Sequence, residues 1–273
     1  MEQRYVFYLD DENIKVYHGI TEGVDEFSFQ PHYHDRYELL LFLKGDVSYT
    51  VEGRSYKLKR GDIVLSRPRQ IHCISPSADT YYERYVAIIN QKYINNSIID
   101  RLKGGQDIFT SRDNEALFEL FSKLDEYSKR FSAEEFSHIA YNIIEEIIYN
   151  LSTMKEGEAS SDINPIIERA LDYINENLTS ISGIDEICQK LYITKSHLHH
   201  LFVRYLQTTP AKYISAKKLI LAQRMIKKGR RPTDVYIECG FSDYATFFRN
   251  FKKHFGYSPN QEGKVRKNVE IYI

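Results

Sequence analysis

Between residues 27 and 89 apolar and polar positions alternate in short runs. Val47, Tyr49 and Val51 interleave with Ser48, Thr50 and Glu52, the period of two expected of a strand with one buried face. Glu52-Gly53-Arg54 then reads as a tight hairpin turn into Ser55-Tyr56-Lys57-Leu58, because glycine takes the left-handed backbone such turns need. Gly61-Asp62 punctuates again before the apolar run Ile63-Val64-Leu65, Pro68 closes that run, and Tyr85-Val86-Ala87-Ile88-Ile89 supplies one more strand. Strands at this spacing, with no helical period between them, predict a small sandwich or barrel.

The period then changes. Over 113–129, Leu117, Leu120, Phe121 and Leu124 fall on one helical face. Over 134–154, Phe136, Ile139, Ala140, Ile143, Ile144, Ile147, Ile148 and Leu151 form a stripe more than four turns long. That stripe has two readings: a helix packed on its own barrel, or a dimer seam. Lys155 to Asp162 is small and polar and reads as a linker. From Pro165 to Phe255 the pattern is helical, broken by short turns. The expected fold class is α+β: a β-barrel over 1–110, a helical pair over 111–155 expected to mediate dimerisation, a linker over 156–163, and an all-α domain over 164–263.

Composition narrows the class. Of 273 residues, 42% are hydrophobic and 27% charged, the balance of a globular protein. No apolar run approaches the ~20 residues that span a bilayer, so no membrane partner is expected. Met1-Glu2-Gln3-Arg4-Tyr5 lacks the basic and then apolar pattern of a secretory leader. Cys73, Cys188 and Cys239 stand far apart, which excludes a disulfide framework or zinc ribbon and suits a reducing cytoplasm. The net charge of −1 conceals a split: residues 1–163 carry −9 and residues 164–273 carry +8. An excess of that sign in one half is the electrostatic footprint of a polyanion partner.

The basic half repeats itself. Leu198, Phe202, Leu206 and Pro210 recur as Phe247, Phe251, Phe255 and Pro259, each 49 residues later. Arg204 with Lys253, and Thr209 with Ser258, share the offset. Each copy has the parts of a helix-turn-helix, over 184–206 and 233–255. In the first, Thr194 caps a helix starting at Lys195; in the second, Ser242 or Asp243 caps one starting at Tyr244. Apolar positions face inward, while His199, His200, Arg204, Thr246, Arg249 and Lys253 lie on the intervening faces, the division a major-groove helix requires. Joined by one rigid helix over 210–228, two such readers would meet successive major-groove faces about one turn (~34 Å) apart on double-stranded DNA. Arg249 is the strongest base-reading candidate, since a guanidinium pairs two ways with guanine.

Residues 166–259 resemble the AraC/XylS family of bacterial transcription regulators. The stretch Gly240-Phe241-Ser242-Asp243-Tyr244-Ala245-Thr246-Phe247-Phe248-Arg249-Asn250-Phe251-Lys252-Lys253, followed by Gly256-Tyr257-Ser258-Pro259, looks very like that family's signature. The resemblance implies base-facing positions at Ser196, His199 and His200 in the first reader and at Tyr244, Ala245, Thr246 and Arg249 in the second. Lys195, Arg204 and Lys253 complete the expected DNA-binding set. It also implies a small-molecule effector, a homodimer and contact with RNA polymerase. Two departures stand out: Tyr236 replaces a small residue, and Asn260-Gln261-Glu262-Gly263 replaces an aromatic-Arg pair. The expectation they carry is weaker binding by the second reader on an unchanged fold.

Residues 27–90 resemble a cupin, the barrel that precedes the DNA-binding domain in many members of that family. His32-Tyr33-His34-Asp35-Arg36-Tyr37-Glu38, then six residues to Gly45, matches the first cupin motif in spacing. His32, His34 and Glu38 fall on one strand face by parity, and His72 sits where a fourth ligand would come. Three histidines and a carboxylate can hold Zn, Fe, Mn or Ni. The regulatory resemblance, however, implies an organic effector, a sugar among the candidates, with no metal required. The expected pocket residues are His32, His34, Tyr37, Glu38, Tyr49 and His72, with Tyr33 a further aromatic candidate. No Ser-His-Asp or Cys-His arrangement and no phosphate-cradling loop is evident, so no enzyme is expected. The alternative is a cupin metalloenzyme with a helical interaction module.

Overall fold

The computed structural model describes residues 2–11, 13–24, 29–77, 80–102, 106–110, 115–154, 164–262 and 271–272. Its N-terminal half stacks two antiparallel sheets. The strands are β1 (Glu2–Asp10), β2 (Ile14–Val24), β3 (His32–Tyr33), β4 (Tyr37–Lys44), β5 (Val47–Val51), β6 (Arg54–Lys57), β7 (Asp62–Ser66), β8 (His72–Pro76), β9 (Thr80–Ile89), β10 (Ile108–Thr110) and, near the C-terminus, β11 (Ile271–Tyr272). One sheet runs β1-β2-β9-β4-β7-β10 and the other β11-β3-β8-β5-β6. Between them lie Leu40, Phe42, Val47, Tyr49, Val51, Tyr82 and Val86, the inward set that the alternation of β4 and β5 dictates.

The barrel begins earlier than its sequence pattern suggests. Strand β1 is an edge whose Tyr5, Val6 and Tyr8 are all exposed, so it shows no alternation. Strand β2 buries His18 on its helix-covered face, against Asp125, and Thr21 on the face between the sheets, which disguises its pattern.

Helices α1 (Asn96–Leu102), α2 (Glu115–Arg130) and α3 (Ala133–Thr153) cover the outer face of the six-stranded sheet. Leu39, Leu41, Ile63, Leu65, Tyr85 and Ala87 of that face share one core with the whole α3 stripe. The stripe is therefore core, and the seam reading of the 136–151 face is corrected: a side chain spent on its own barrel is not available to a second chain. Ser132 and Glu135 form the capping box that starts α3. The linker expected at 156–163 and the expected helix start at 113 lie outside the described residues.

The C-terminal half contains α4 (Pro165–Asn177), α5 (Ile184–Leu191), α6 (Lys195–Leu206), α7 (Pro210–Lys227), α8 (Pro232–Glu238) and α9 (Tyr244–Phe255). Thr194, Thr209 and Asp243 accept from the backbone N–H of the third residue of α6, α7 and α9, and Pro210 opens α7 at its first turn. Both helix-turn-helix units close on one core through Leu198, Phe202, Phe247 and Phe251. The second turn needs Gly240: its φ is +72°, and a Cβ there would sit 2.2 Å from the Thr179 carbonyl.

The two halves dock. Tyr33 and Ile71 of the barrel join the core of the helical half. The β5–β6 hairpin tip reaches it too, with Glu52 at φ 44° and Gly53 at φ 80°. A Cβ on Gly53 would lie 2.2 Å from Leu171 of α4, so glycine here serves the close approach as well as the turn. Among the described residues, no helix is long and apolar enough to cross a membrane.

Candidate DNA-reading and effector-sensing sites

The expected DNA-facing residues lie on one exposed face of each reader. On α6, Lys195, Ser196, His199, His200 and Arg204 are exposed, while Leu198, Leu201 and Phe202 are buried. On α9, Ala245, Arg249 and Lys253 are exposed, and Tyr244 and Thr246 are half-buried. Thr246 Oγ1 accepts from Arg249 Nη2 at 3.2 Å, which steadies the guanidinium on the outer face. Lys195 pairs with Asp185 at 2.6 Å, both well exposed, a contact a phosphate can displace at little cost. Arg204 lies 5.5 Å over the ring of Tyr205. Of the two candidate caps of α9, Asp243 is the one used.

Neither departure from the family pattern disturbs this frame. Tyr236 packs edge-on to Tyr244 at 5.5 Å and stacks on Phe247 at 6.3 Å, filling space beside α9 with a third ring. After Pro259, the Gln261 side chain accepts from the Ser258 backbone N–H at 3.0 Å. Glu262 accepts from the Tyr257 hydroxyl at 2.6 Å, and that hydroxyl in turn accepts from Gln223 of α7 at 2.8 Å. A polar brace thus ties the end of α9 to the rod between the readers.

Inside the barrel, His32, His34, Glu38 and His72 converge. One ligand atom of each lies within 4.8 Å of all the others. Strand β3 contributes His32, and β8, paired to it residue for residue at His72, contributes the facing imidazole. Glu38 enters from β4 in the opposite sheet. Each histidine places Nδ1 against a backbone carbonyl: His32 on Gln30 at 3.0 Å, His34 on Arg36 at 3.0 Å and His72 on Gln70 at 2.9 Å. Carbonyl oxygens only accept, so Nδ1 carries the proton and Nε2 is the basic nitrogen.

The Nε2 atoms of His34 and His72 lie 3.1 and 3.7 Å from Glu38 Oε2. Burial alone would push the Glu38 carboxyl up, but His34 and His72 more than reverse this and hold it well below the usual carboxylate range. Basic nitrogens facing an ionised carboxylate require a cation between them, whether protons or a metal ion. The donor set fits a divalent transition metal. Four ligands at about 2.1 Å in a tetrahedron lie about 3.4 Å apart, so a modest contraction of the four groups would close a shell.

Tyr49 belongs to this centre. Its hydroxyl donates to Glu38 Oε1 at 3.0 Å and lies 3.2 Å from Ser66 Oγ, and its ring stacks on His72 at 6.0 Å. Tyr37 does not. It sits one residue from Glu38, on the opposite face of β4, and packs with Leu39 and Leu41 under the helices; its assignment to the pocket is corrected. Tyr33 is turned away for the same reason. It lies between His32 and His34 and so faces outward, 1% exposed, among the helices of the other half.

The outward groups of this region form the domain contact, which the sequence reading missed. Tyr33 Oη is hydrogen-bonded to His254 Nε2 of α9 at 2.6 Å, with the two rings stacked 5.5 Å apart. Burial pushes the His254 imidazole down to about 4, so it is neutral there. Glu52 accepts from the Tyr213 hydroxyl and from Lys217 Nζ, both at 2.9 Å. Asp35 pairs with Lys227 at 2.6 Å, and Ser75 accepts from Gln207 at 2.6 Å. Strand parity was the available signal for Tyr33 and Tyr37; nothing local to the sequence could have paired Tyr33 with a residue 221 positions away.

Comparison with known proteins finds matches over both halves of the chain. A model of the AraC-like ligand binding domain matches residues 16–139, and a model of a helix-turn-helix domain matches residues 187–264. The Lactose operon transcription activator of Staphylococcus xylosus is 26% identical over 254 residues, covering 89% of each chain. The Arabinose operon regulatory protein of Salmonella typhimurium is 25% identical over 234 residues, covering 82% of each. Among solved structures, ToxT of Vibrio cholerae aligns at 14% identity with a TM-score of 0.37, over 92% of this chain and 97% of that one. With the sensor model on the barrel, the reader model on the tandem helices and transcription regulators among its relatives, the chain belongs to the AraC family of DNA-binding transcription regulators.

Proposed function

We propose that this regulator senses its effector at the His32–His34–Glu38–His72 centre, and that the centre takes a divalent transition-metal ion. The observation that carries the reading is the facing of carbonyl-anchored imidazoles on a buried carboxylate. The sequence alone favoured an organic effector with no metal required; the convergence of the four side chains supports the metal instead. Bound there, an ion would neutralise Glu38 and cross-link β3, β4 and β8. Tyr49, held on Glu38, orients the carboxylate.

The role is regulatory rather than catalytic, in line with relatives named for control of operons. The same reading places the protein in the cytoplasm, as a homodimer that contacts RNA polymerase on double-stranded DNA. The partner face of such a dimer would be the outward side of α2 and α3, where Tyr149 is exposed. The DNA contacts fall to Ser196, His199 and His200 and to Ala245, Thr246 and Arg249.

A second reading has its own support. A cleft of about 540 Å³ between the halves is lined by Ser48, Thr50, Ser55, Ser75, Asn164 and Arg204. Hydroxyls in such number suit a sugar, and two relatives are named for the lactose and arabinose operons. One experiment separates the readings. Protein purified without a histidine tag, stripped by chelator and titrated calorimetrically with Zn²⁺, should bind one equivalent, and His72→Ala should lose that binding while remaining folded. Absence of stoichiometric binding in the wild type, with saturable heat on titration of lactose or arabinose, would favour the cleft.

A further inference from the structure

Strand β3 is two residues long and bears two functions on its two faces. His32 looks into the barrel at the ligand centre, with His34 following at the same parity, while Tyr33 between them looks out. We propose that Tyr33 and His254 form the link through which occupancy of that centre reaches the second DNA reader. The proposal rests on the sensing role assigned above to the four-residue centre and names how that role is transmitted.

Geometry makes the link short and stiff. Tyr33 is 1% exposed, stacked on and hydrogen-bonded to His254. His254 lies in the last turn of α9, the helix that carries Arg249 at its middle. Its ring also meets Phe255 edge-on at 5.0 Å, so it is wedged between the barrel and the core of the helical half. On its other flank Tyr33 is paired in register with Ile271 of β11, which holds the strand from outside. A side chain so enclosed cannot reorient alone; a shift of its backbone must be taken up by its neighbours.

Ligation supplies the shift. The ligand atoms span up to 4.8 Å, whereas a closed tetrahedral shell needs separations of about 3.4 Å. Closing the shell moves β3 by on the order of 1 Å, and Tyr33 moves with it. The docked arrangement leaves the base-facing side chains Ser196, His199, Ala245 and Arg249 open. Drawing β3 tight therefore favours a form with both readers presented, and metal should strengthen DNA binding.

The test uses the full chain, a duplex selected from random sequences, and Co²⁺, whose visible absorption reports coordination without reference to DNA. In the wild type, Co²⁺ should tighten DNA binding at least about five-fold, and DNA should tighten Co²⁺ binding by the same factor. Tyr33→Phe, and separately His254→Gln, should keep the Co²⁺ absorption and the affinity for Co²⁺ in the absence of DNA, while the coupling factor falls towards one. A tyrosine or histidine needed only for folding would instead disturb Co²⁺ binding itself or the thermal melt. If Co²⁺ binds but the factor is one or below in the wild type, or survives in both variants, the link is wrong and the sensing centre stands. If the wild type shows no Co²⁺ absorption, the metal reading of the centre and the link fall together.

Discussion

Arg249 and Lys253 stand four residues apart on the exposed face of α9, and the proposed reading gives them different work. Arg249 is in the second turn, close to where a recognition helix meets base edges, and Lys253 in the last, where helices of this kind lie near backbone. Arg249→Ala should cost about 1–3 kcal/mol on the selected duplex and relax preference at one or two base pairs. Lys253→Ala should weaken all duplexes alike and flatten the salt dependence by about one unit. Equal losses on selected and random DNA for Arg249→Ala would make it an anchor only. His254, one residue beyond Lys253, makes a prediction about pH. Its folded imidazole titrates at about 4 against an ordinary 6.5. The unfolded chain therefore takes up a proton below about 6.5 that the folded chain refuses, and stability falls as pH drops through that window and is full above it. The loss is at most about 3 kcal/mol. Wild-type Tm should thus fall more steeply from pH 6.5 towards 4 than that of His254→Gln; parallel slopes would contradict it.

Helix α3 illustrates how much of an element a sequence reveals. Its extent and its apolar face are plain in the spacing of Phe136, Ile143, Ile147 and Leu151, because helical period is a local property. What the face meets is not local, and the stripe fits a partner chain as well as the outer face of β4, β7 and β9, where it is found. Ile143 and Ile147 are 7% and 0% exposed. Changing both to Glu should leave an unfolded or molten barrel half rather than a folded monomer, since each carboxylate would be buried without a partner. Near-native circular dichroism and a cooperative melt in that double variant would mean the stripe is not core. Strands are legible where they alternate, as in β5, and hidden where they do not, as in β1 at the sheet edge. The recognition helices were legible nearly to the residue, since caps at Thr194 and Asp243 and the repeat at Phe202 and Phe251 are short-range signals. Parity alone would have kept Tyr37 out of the pocket.

At the scale of the whole chain, the division of charge serves two ends. The basic half carries a net +8, but Lys217 and Lys227 spend their charge on Glu52 and Asp35 of the acidic half. Of the rest, Lys195, Arg204, Arg249 and Lys253 lie on the readers' exposed faces. Sequence could show that the halves are complementary; it could not show that the hairpin tip at Glu52-Gly53 and strand β3 are where they meet. The arrangement makes α7 the rod that spaces the two readers and also the surface on which the sensor half rests. In this arrangement both readers would engage one duplex together, under the sensor half. Methylation interference at guanine N7 on the selected duplex tests this most directly, since it reports the major groove base by base. Joint engagement requires two clusters of interference centred about one helical turn (~34 Å) apart on one face, with Arg249→Ala erasing part of one cluster and His199→Ala part of the other. A single cluster in the wild type, or one that both substitutions erase alike, would contradict it.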